Sequence, residues 1–152
     1  MSEKNPNLLQ EFIGQVAGHR DGHGFVSTDD GQSIYLPPNE MRAVLHRDTL
    51  RVRVVRHDKR GRPEGRVLEI VRRSPQPIIG RLLHESGSWL VAPEDKRYGQ
   101  DVSIPKNALL NAEIGQVVVV QLTDAPSLYG QPVGRVTEIL GMPDDSGMEI
   151  EI

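Results

Sequence analysis

The chain has 152 residues, 37% of them apolar and 4% aromatic, with 18 Lys and Arg against 21 Asp and Glu and no cysteine. The length suits one ordinary domain or two small ones; the missing cysteine excludes disulfides, thiolate-held zinc, iron–sulfur clusters and thiol nucleophiles, and no apolar run exceeds four residues, against the roughly 18 of a membrane helix, so a soluble cytoplasmic protein is expected. The net charge of −3 is unevenly spread: residues 1–41 hold two basic and six acidic groups, residues 42–81 twelve and four, and residues 82–152 four and eleven.

Along the chain, residues 1–12 read as a leader, and residues 13–74 and 79–142 as one unit written twice. Ile13-Gly14 matches Ile79-Gly80, Gly31-Gln32 through Asn39 matches Gly99-Gln100 through Asn107, and Gly65-Arg66-Val67 matches Gly134-Arg135-Val136, in the same order at offsets that grow slowly. Residues 75–78 form the joint, where Pro75 and Pro77 favour extended backbone. Within each unit apolar residues recur at a spacing of two between Gly, Pro, Asp and Asn clusters, the mark of short strands. Gly24–Thr28, Ser33–Leu36, Thr49–Val55 and Gly65–Val71 fit best, with Leu50, Val52 and Val54 on one face and Arg51 and Arg53 on the other. Brief helical turns are expected over Asn39–Leu45 and Asn107–Ile114, each capped by its Asn. Five short strands and an insert per unit give an all-β chain of two tandem five-stranded barrels, Greek-key OB folds foremost and SH3-like barrels the alternative on pattern alone.

Candidate chemistry concentrates in the first unit. If Gly24–Val26 is extended, His23 and Phe25 project from one side, Tyr35 can join them, and the apolar Val26, Ile34 and Leu36 supply the inner face. Exposed flat rings stack on nucleobases. Eleven of the twelve cations in residues 42–81 are arginine, which forks onto phosphate, and Arg51, Arg53, Arg56, Lys59, Arg60 and Arg62 form the candidate phosphate-binding set. Aligning the copies puts Ser88, Leu90 and Ser103 where His23, Phe25 and Tyr35 stand, and Val119 and Gln121 where Arg51 and Arg53 stand. The second unit therefore reads as a poor binder of its own, with Val117 and Val119 turned outward for an apolar contact and Trp89 in the core or the domain joint. His19 and His23 are set aside as metal ligands, because at four residues apart only a helix would bring them together and Gly18, Gly22 and Gly24 argue against a helix. No metal site is expected within this chain.

Gly22-His23-Gly24-Phe25-Val26 resembles the first ribonucleoprotein motif of cold-shock domains and Ile34-Tyr35-Leu36 the second. Together with the Met41 and His46-Arg47-Asp48 stretch, Ile79-Gly80-Arg81, Val91-Ala92-Pro93-Glu94-Asp95, Gly115 with Val117–Val120, and Gly134 through Gly141, they resemble the N-terminal tandem cold-shock region of the ribonuclease R branch of the ribonuclease II/R exoribonucleases, over residues 12–142. The resemblance implies cold-shock-like barrels that bind single-stranded RNA and feed a magnesium-dependent 3′→5′ exonuclease domain, absent here, toward which residues 143–152 lead, so that no catalytic site or cofactor is expected within this chain. A stand-alone RNA chaperone and a protein-interaction module are the alternatives. The sequence departs from the pattern at His23, where the motif usually has Phe or Tyr, and at Arg47, where a glycine is usual. If that position needs a positive φ, Arg47 is strained where Gly115 in the second copy is not.

Overall fold

The computed structural model describes residues 10–128 and 130–143. The chain divides after Ser74 into two compact units. The first contains β1 (Glu11–Gly18), β2 (Gly24–Ser27), β3 (Ser33–Leu36), β4 (Thr49–His57) and β5 (Pro63–Arg72). The second contains β6 (Ile78–Glu85), β7 (Ser88–Pro93), β8 (Val102–Ile104), β9 (Val117–Asp124) and β10 (Val133–Gly141). β1 begins within the stretch expected as a leader, whose residues before Gln10 lie outside the described part, as do residues 144–152 of the expected tail.

Each unit closes into a five-stranded barrel, the first in the order β1-β2-β3-β5-β4 and the second in the order β10-β8-β7-β6-β9. Closure leaves no free strand edges. All ladders are antiparallel except the one that shuts each barrel: β3 meets β5 in parallel with Tyr35 opposite Glu64, and β8 meets β10 with Ser103 opposite Val133. The first core gathers Val16, Val26, Ile34, Leu36, Leu50, Val52 and Val54, all at most 1% exposed. Burying each such side chain contributes roughly 1.5–3 kcal/mol. Leu82, Val91, Val102, Val118 and Val120 do the same in the second barrel. The repeated Ile-Gly pair has a steric cause, since a Cβ at Gly14 would collide with the Ser27 carbonyl and one at Gly80 with that of Ala92.

Behind the start of β4 lies a polar clasp. The fully buried Asp48 carboxylate accepts the amides of Leu45 at 2.9 Å and Ser74 at 3.1 Å and the guanidinium of Arg73 at 2.7 Å, tying the end of the first unit to its β4. Gln116 accepts the Glu113 amide in the matching turn of the second barrel, at 2.7 Å. Next to Asp48, Arg47 has φ 76° and its counterpart Gly115 φ 90°, so the position does require left-handed backbone.

Two local expectations are corrected. The helical turns shrink to single 3-10 turns at Pro38–Glu40 and Lys106–Ala108, each entered from a proline with no side-chain cap, so Asn39 and Asn107 lie within the turn instead of starting it. A third turn, Lys96–Tyr98, has a real cap: the Asp95 carboxylate accepts the Arg97 amide. Val117, expected outward beside Val119, is fully buried although it does not join the cluster of Val118 and Val120 in the second core, and Val119 is half-open. Trp89 packs against the second core, its ring 4.5 Å from His84, at the place that Gly24 holds in the first barrel.

Candidate functional site

The first barrel carries a cluster of rings on its outer surface. Gly24 and Val26 of β2 face inward and are buried, which turns Phe25 outward, and the β2–β3 ladder sets Tyr35 directly opposite it. His23 enters from the preceding turn. The centroids of His23, Phe25 and Tyr35 form a triangle with every side 5.6 Å, at interplanar angles of 88°, 41° and 58°. All three are half-buried, each with one part packed and another open to solvent. Rings this close leave no slot between them and form a continuous apolar surface on which flat partners can lie.

His19 extends this surface, which the sequence reading missed. Gly22, at φ 101°, closes a turn in which its amide donates to the His19 carbonyl at 2.9 Å. The turn folds His19 back over His23, with centroids 4.3 Å apart and planes 17° from parallel. The expectation that these two histidines meet only on a helix is therefore overturned. Asp21 lies beside them, its amide donating to His19 Nδ1 at 3.0 Å and its Oδ2 3.4 Å from the same nitrogen. Arg20 in the same turn is exposed.

The six predicted cations divide into two groups. Tyr35 is opposite Glu64 across the β3–β5 seam, and Glu64 is opposite Arg56 across β4–β5, so Phe25, Tyr35, Glu64 and Arg56 form one row around the barrel. Arg56 is thus two strands from Tyr35, about 10 Å, and its Nε holds the Glu64 carboxylate at 3.1 Å. Beyond Arg56 the β4–β5 hairpin is organised by Asp58, whose carboxylate accepts the amides of Arg60 at 2.8 Å and Arg62 at 2.9 Å and pairs with the Arg62 guanidinium at 2.7 Å. Those contacts from Arg62 and Arg60 hold the Asp58 carboxyl below its ordinary range. Lys59 and Arg60 point from this hairpin with no carboxylate partner among the described residues.

Arg51 and Arg53 stand elsewhere. They flank Ile13 and Glu11 of β1, whereas the rings adjoin Ala17. Four residues of strand separate Ile13 from Ala17, about 13 Å. Their charge is also occupied: Glu11 gives one carboxylate oxygen to Arg51 at 2.7 Å and the other to Arg53 at 2.9 Å, and Glu69 holds Arg51 Nε at 3.1 Å. At the matching places of the second barrel, Leu83, Leu90 and Ser103 follow one another across the sheet, so the outer face there carries no rings.

Residues 14–70 match the family described as the ribonuclease B OB domain, and residues 90–152 the cold shock domain. Among curated proteins the chain is 37% identical over 151 residues to a ribonuclease R of Vibrio parahaemolyticus and 34% identical over 148 residues to that of Escherichia coli, in each case across 97% of this chain and 18% of the relative. A ribonuclease R of Acidithiobacillus ferrooxidans is 39% identical over 142 residues, 91% of this chain and 32% of that protein. The chain therefore spans about a fifth to a third of the length of these relatives. Among solved structures, Mycoplasma genitalium RNase R in complex with ribose-methylated single-stranded RNA superposes with a TM-score of 0.73 at 16% identity, over 88% of this chain and 22% of that one. Yeast Ssd1, a pseudonuclease, gives 0.74 at 17% identity, over 90% and 24%. At such identities the likeness is one of fold.

Proposed function

We propose that this chain, which corresponds to the N-terminal OB and cold-shock region of ribonuclease R, holds single-stranded RNA on its first barrel and passes it to a nuclease domain lying outside these residues. The observation that carries the reading is the ring triangle of His23, Phe25 and Tyr35 on an outer barrel face whose inner side is already filled by Val26, Ile34 and Leu36. Unpaired bases stack on such rings without regard to sequence, each contributing roughly 1–3 kcal/mol. The strand then continues along the row through Arg56 to the Asp58-built hairpin, where Lys59 and Arg60 take phosphates, joined by Arg56 and Arg62 as phosphate displaces their carboxylates, Glu64 and Asp58. Arg51 and Arg53 form a second, more distant phosphate contact that must first be released from Glu11. The second barrel, with no rings at the matching places, spaces and docks.

Degradation belongs to the whole protein in this reading: cleavage needs the magnesium-dependent domain that the ribonuclease R resemblance implies, in the cytoplasm, and the chain alone releases no nucleotides from labelled RNA with magnesium. The match to a pseudonuclease supports a second reading, in which the same barrels hold RNA that is never cut. Extending the reading frame and looking for the aspartate cluster of a nuclease separates the two. Binding itself is tested by titrating the isotope-labelled chain with a short oligouridylate. Amide shifts centred on residues 19–25, 33–36 and 56–62 support the reading, and shifts confined to the second barrel, or none, reject it.

A further inference from the structure

The turn between β1 and β2 brings together three side chains that ligate metals. One ligand atom each from His19, Asp21 and His23 lies within 4.8 Å of the others, and no other such group of three occurs among the described residues. The arrangement is built by the backbone: Gly22 at φ 101° and its amide bond to the His19 carbonyl bend the five-residue stretch so that its odd-numbered side chains share a side. One edge of a coordination polyhedron already has the right length, although the Asp21 amide must release His19 Nδ1 before that nitrogen can ligate. His19 Nδ1 and Asp21 Oδ2 are 3.4 Å apart, and two ligands about 2.1 Å from a tetrahedral ion are themselves about 3.4 Å apart. Two imidazoles and one carboxylate are a donor set that suits zinc and its neighbours rather than magnesium or calcium, which require more oxygens. With the turn open to solvent, the remaining coordination position is free for water or a phosphate oxygen.

We propose that His19, Asp21 and His23 bind a divalent transition ion of the zinc class, and that this ion competes with RNA for the His23 ring. The competition follows from the stack. With the two imidazole planes only 17° from parallel, their in-plane lone pairs run side by side and cannot converge on one ion. His23 must rotate to complete the site, which breaks its T-shaped contact with Phe25, 5.6 Å away, and opens the triangle. The ion also displaces the Asp21 amide from His19 Nδ1. This second half rests on the RNA-binding reading given above; the site itself does not.

The test uses the whole chain freed of metal by a chelator. Zinc is titrated by calorimetry and followed on the histidine ring resonances, with His19→Ala and Asp21→Asn as variants and His84→Ala, at an exposed histidine of the second unit, as a control that leaves all three ligands. One ion per chain is expected, shifting the His19 and His23 signals, with about tenfold or greater loss of affinity in each ligand variant and none in the control. Oligouridylate affinity should be lower with saturating zinc than with chelator, and this difference should vanish in His19→Ala. Absence of zinc binding, or binding that shifts His46, His57 or His84 and ignores the variants, overturns the site. Zinc binding through the three residues with unchanged RNA affinity overturns the competition. A chain that binds zinc as described but no RNA at all rejects the functional reading and leaves the site standing.

Discussion

Glu11 spans the two outward arginines of β4, its carboxylate 2.7 Å from Arg51 and 2.9 Å from Arg53. A carboxylate held by two guanidiniums occupies the geometry that a phosphate would take. Hydrogen bonds from Arg53, and then from Arg51, hold the Glu11 carboxyl below the ordinary glutamate range. Because the folded value is depressed, the stabilisation it gives is complete above the ordinary glutamate range and is lost as pH falls through the lowered folded value. Carboxyl NMR of Glu11 across an acid titration reads this directly, and a midpoint at or above that of an unstructured glutamate contradicts the pairing. Glu11→Gln should also strengthen RNA binding and steepen its salt dependence, by about 0.7 in the slope of log K against log salt for each phosphate newly contacted.

Phe25 and Tyr35 are half-buried and belong to the outer face, so their truncation should separate binding from folding. Phe25→Ala and Tyr35→Ala are each expected to weaken oligouridylate binding by about 1–3 kcal/mol. Circular dichroism should show the barrel retained. Loss of the fold in both would place the rings in the core. Amide NMR shifts are the fitting readout, since Tyr35→Ala removes the tyrosine of the site and the sole tryptophan, Trp89, packs against the core of the second barrel.

Arg47 adopts φ 76°, a conformation that costs a non-glycine residue about 1 kcal/mol or more. Its amide donates to the Val16 carbonyl at 2.8 Å and its carbonyl accepts from Gln15, and glycine keeps both. Arg47→Gly should therefore raise the melting temperature by a few degrees. A lower melting temperature would mean that the guanidinium contributes more than the backbone loses.

Asp48 is the opposite case, a charge sealed in the protein with three donors pointed at it. Asp48→Ala leaves two amides and the Arg73 guanidinium without their acceptor, and removing one partner of a buried ion pair costs about 3–5 kcal/mol. Chemical denaturation should show this loss in the first unit, while Arg73→Ala, whose side chain is a third exposed, should cost less.

What could be read in the sequence was what depends on period and repetition. The alternation at Leu50, Val52 and Val54 set the strand faces, and the Ile-Gly and Gly-Arg-Val repeats marked two barrels, because each copy needs its glycine where strands cross closely. Phe25 and Tyr35 were legible for the same reason, as neighbours of buried residues at a spacing of one. What escaped was set by contacts between distant segments. Glu11 lies 42 residues from Arg53, so nothing local announced that both outward arginines of β4 would already hold a carboxylate. His19 reaches His23 through a turn whose shape depends on Gly22, and the complete burial of Val117, outside the core cluster of its own barrel, is not something alternation encodes.

The first barrel is shut along its β3–β5 seam by Tyr35 and Glu64, one a member of the outer ring cluster and the other clamped by Arg56. A strand lying from the rings to the hairpin would bridge that seam from outside, like a strap across a stave. Cargo would then reinforce its carrier: amides of Ser33–Leu36 should exchange with deuterium more slowly once the site is filled, and the vessel should be tightest when loaded.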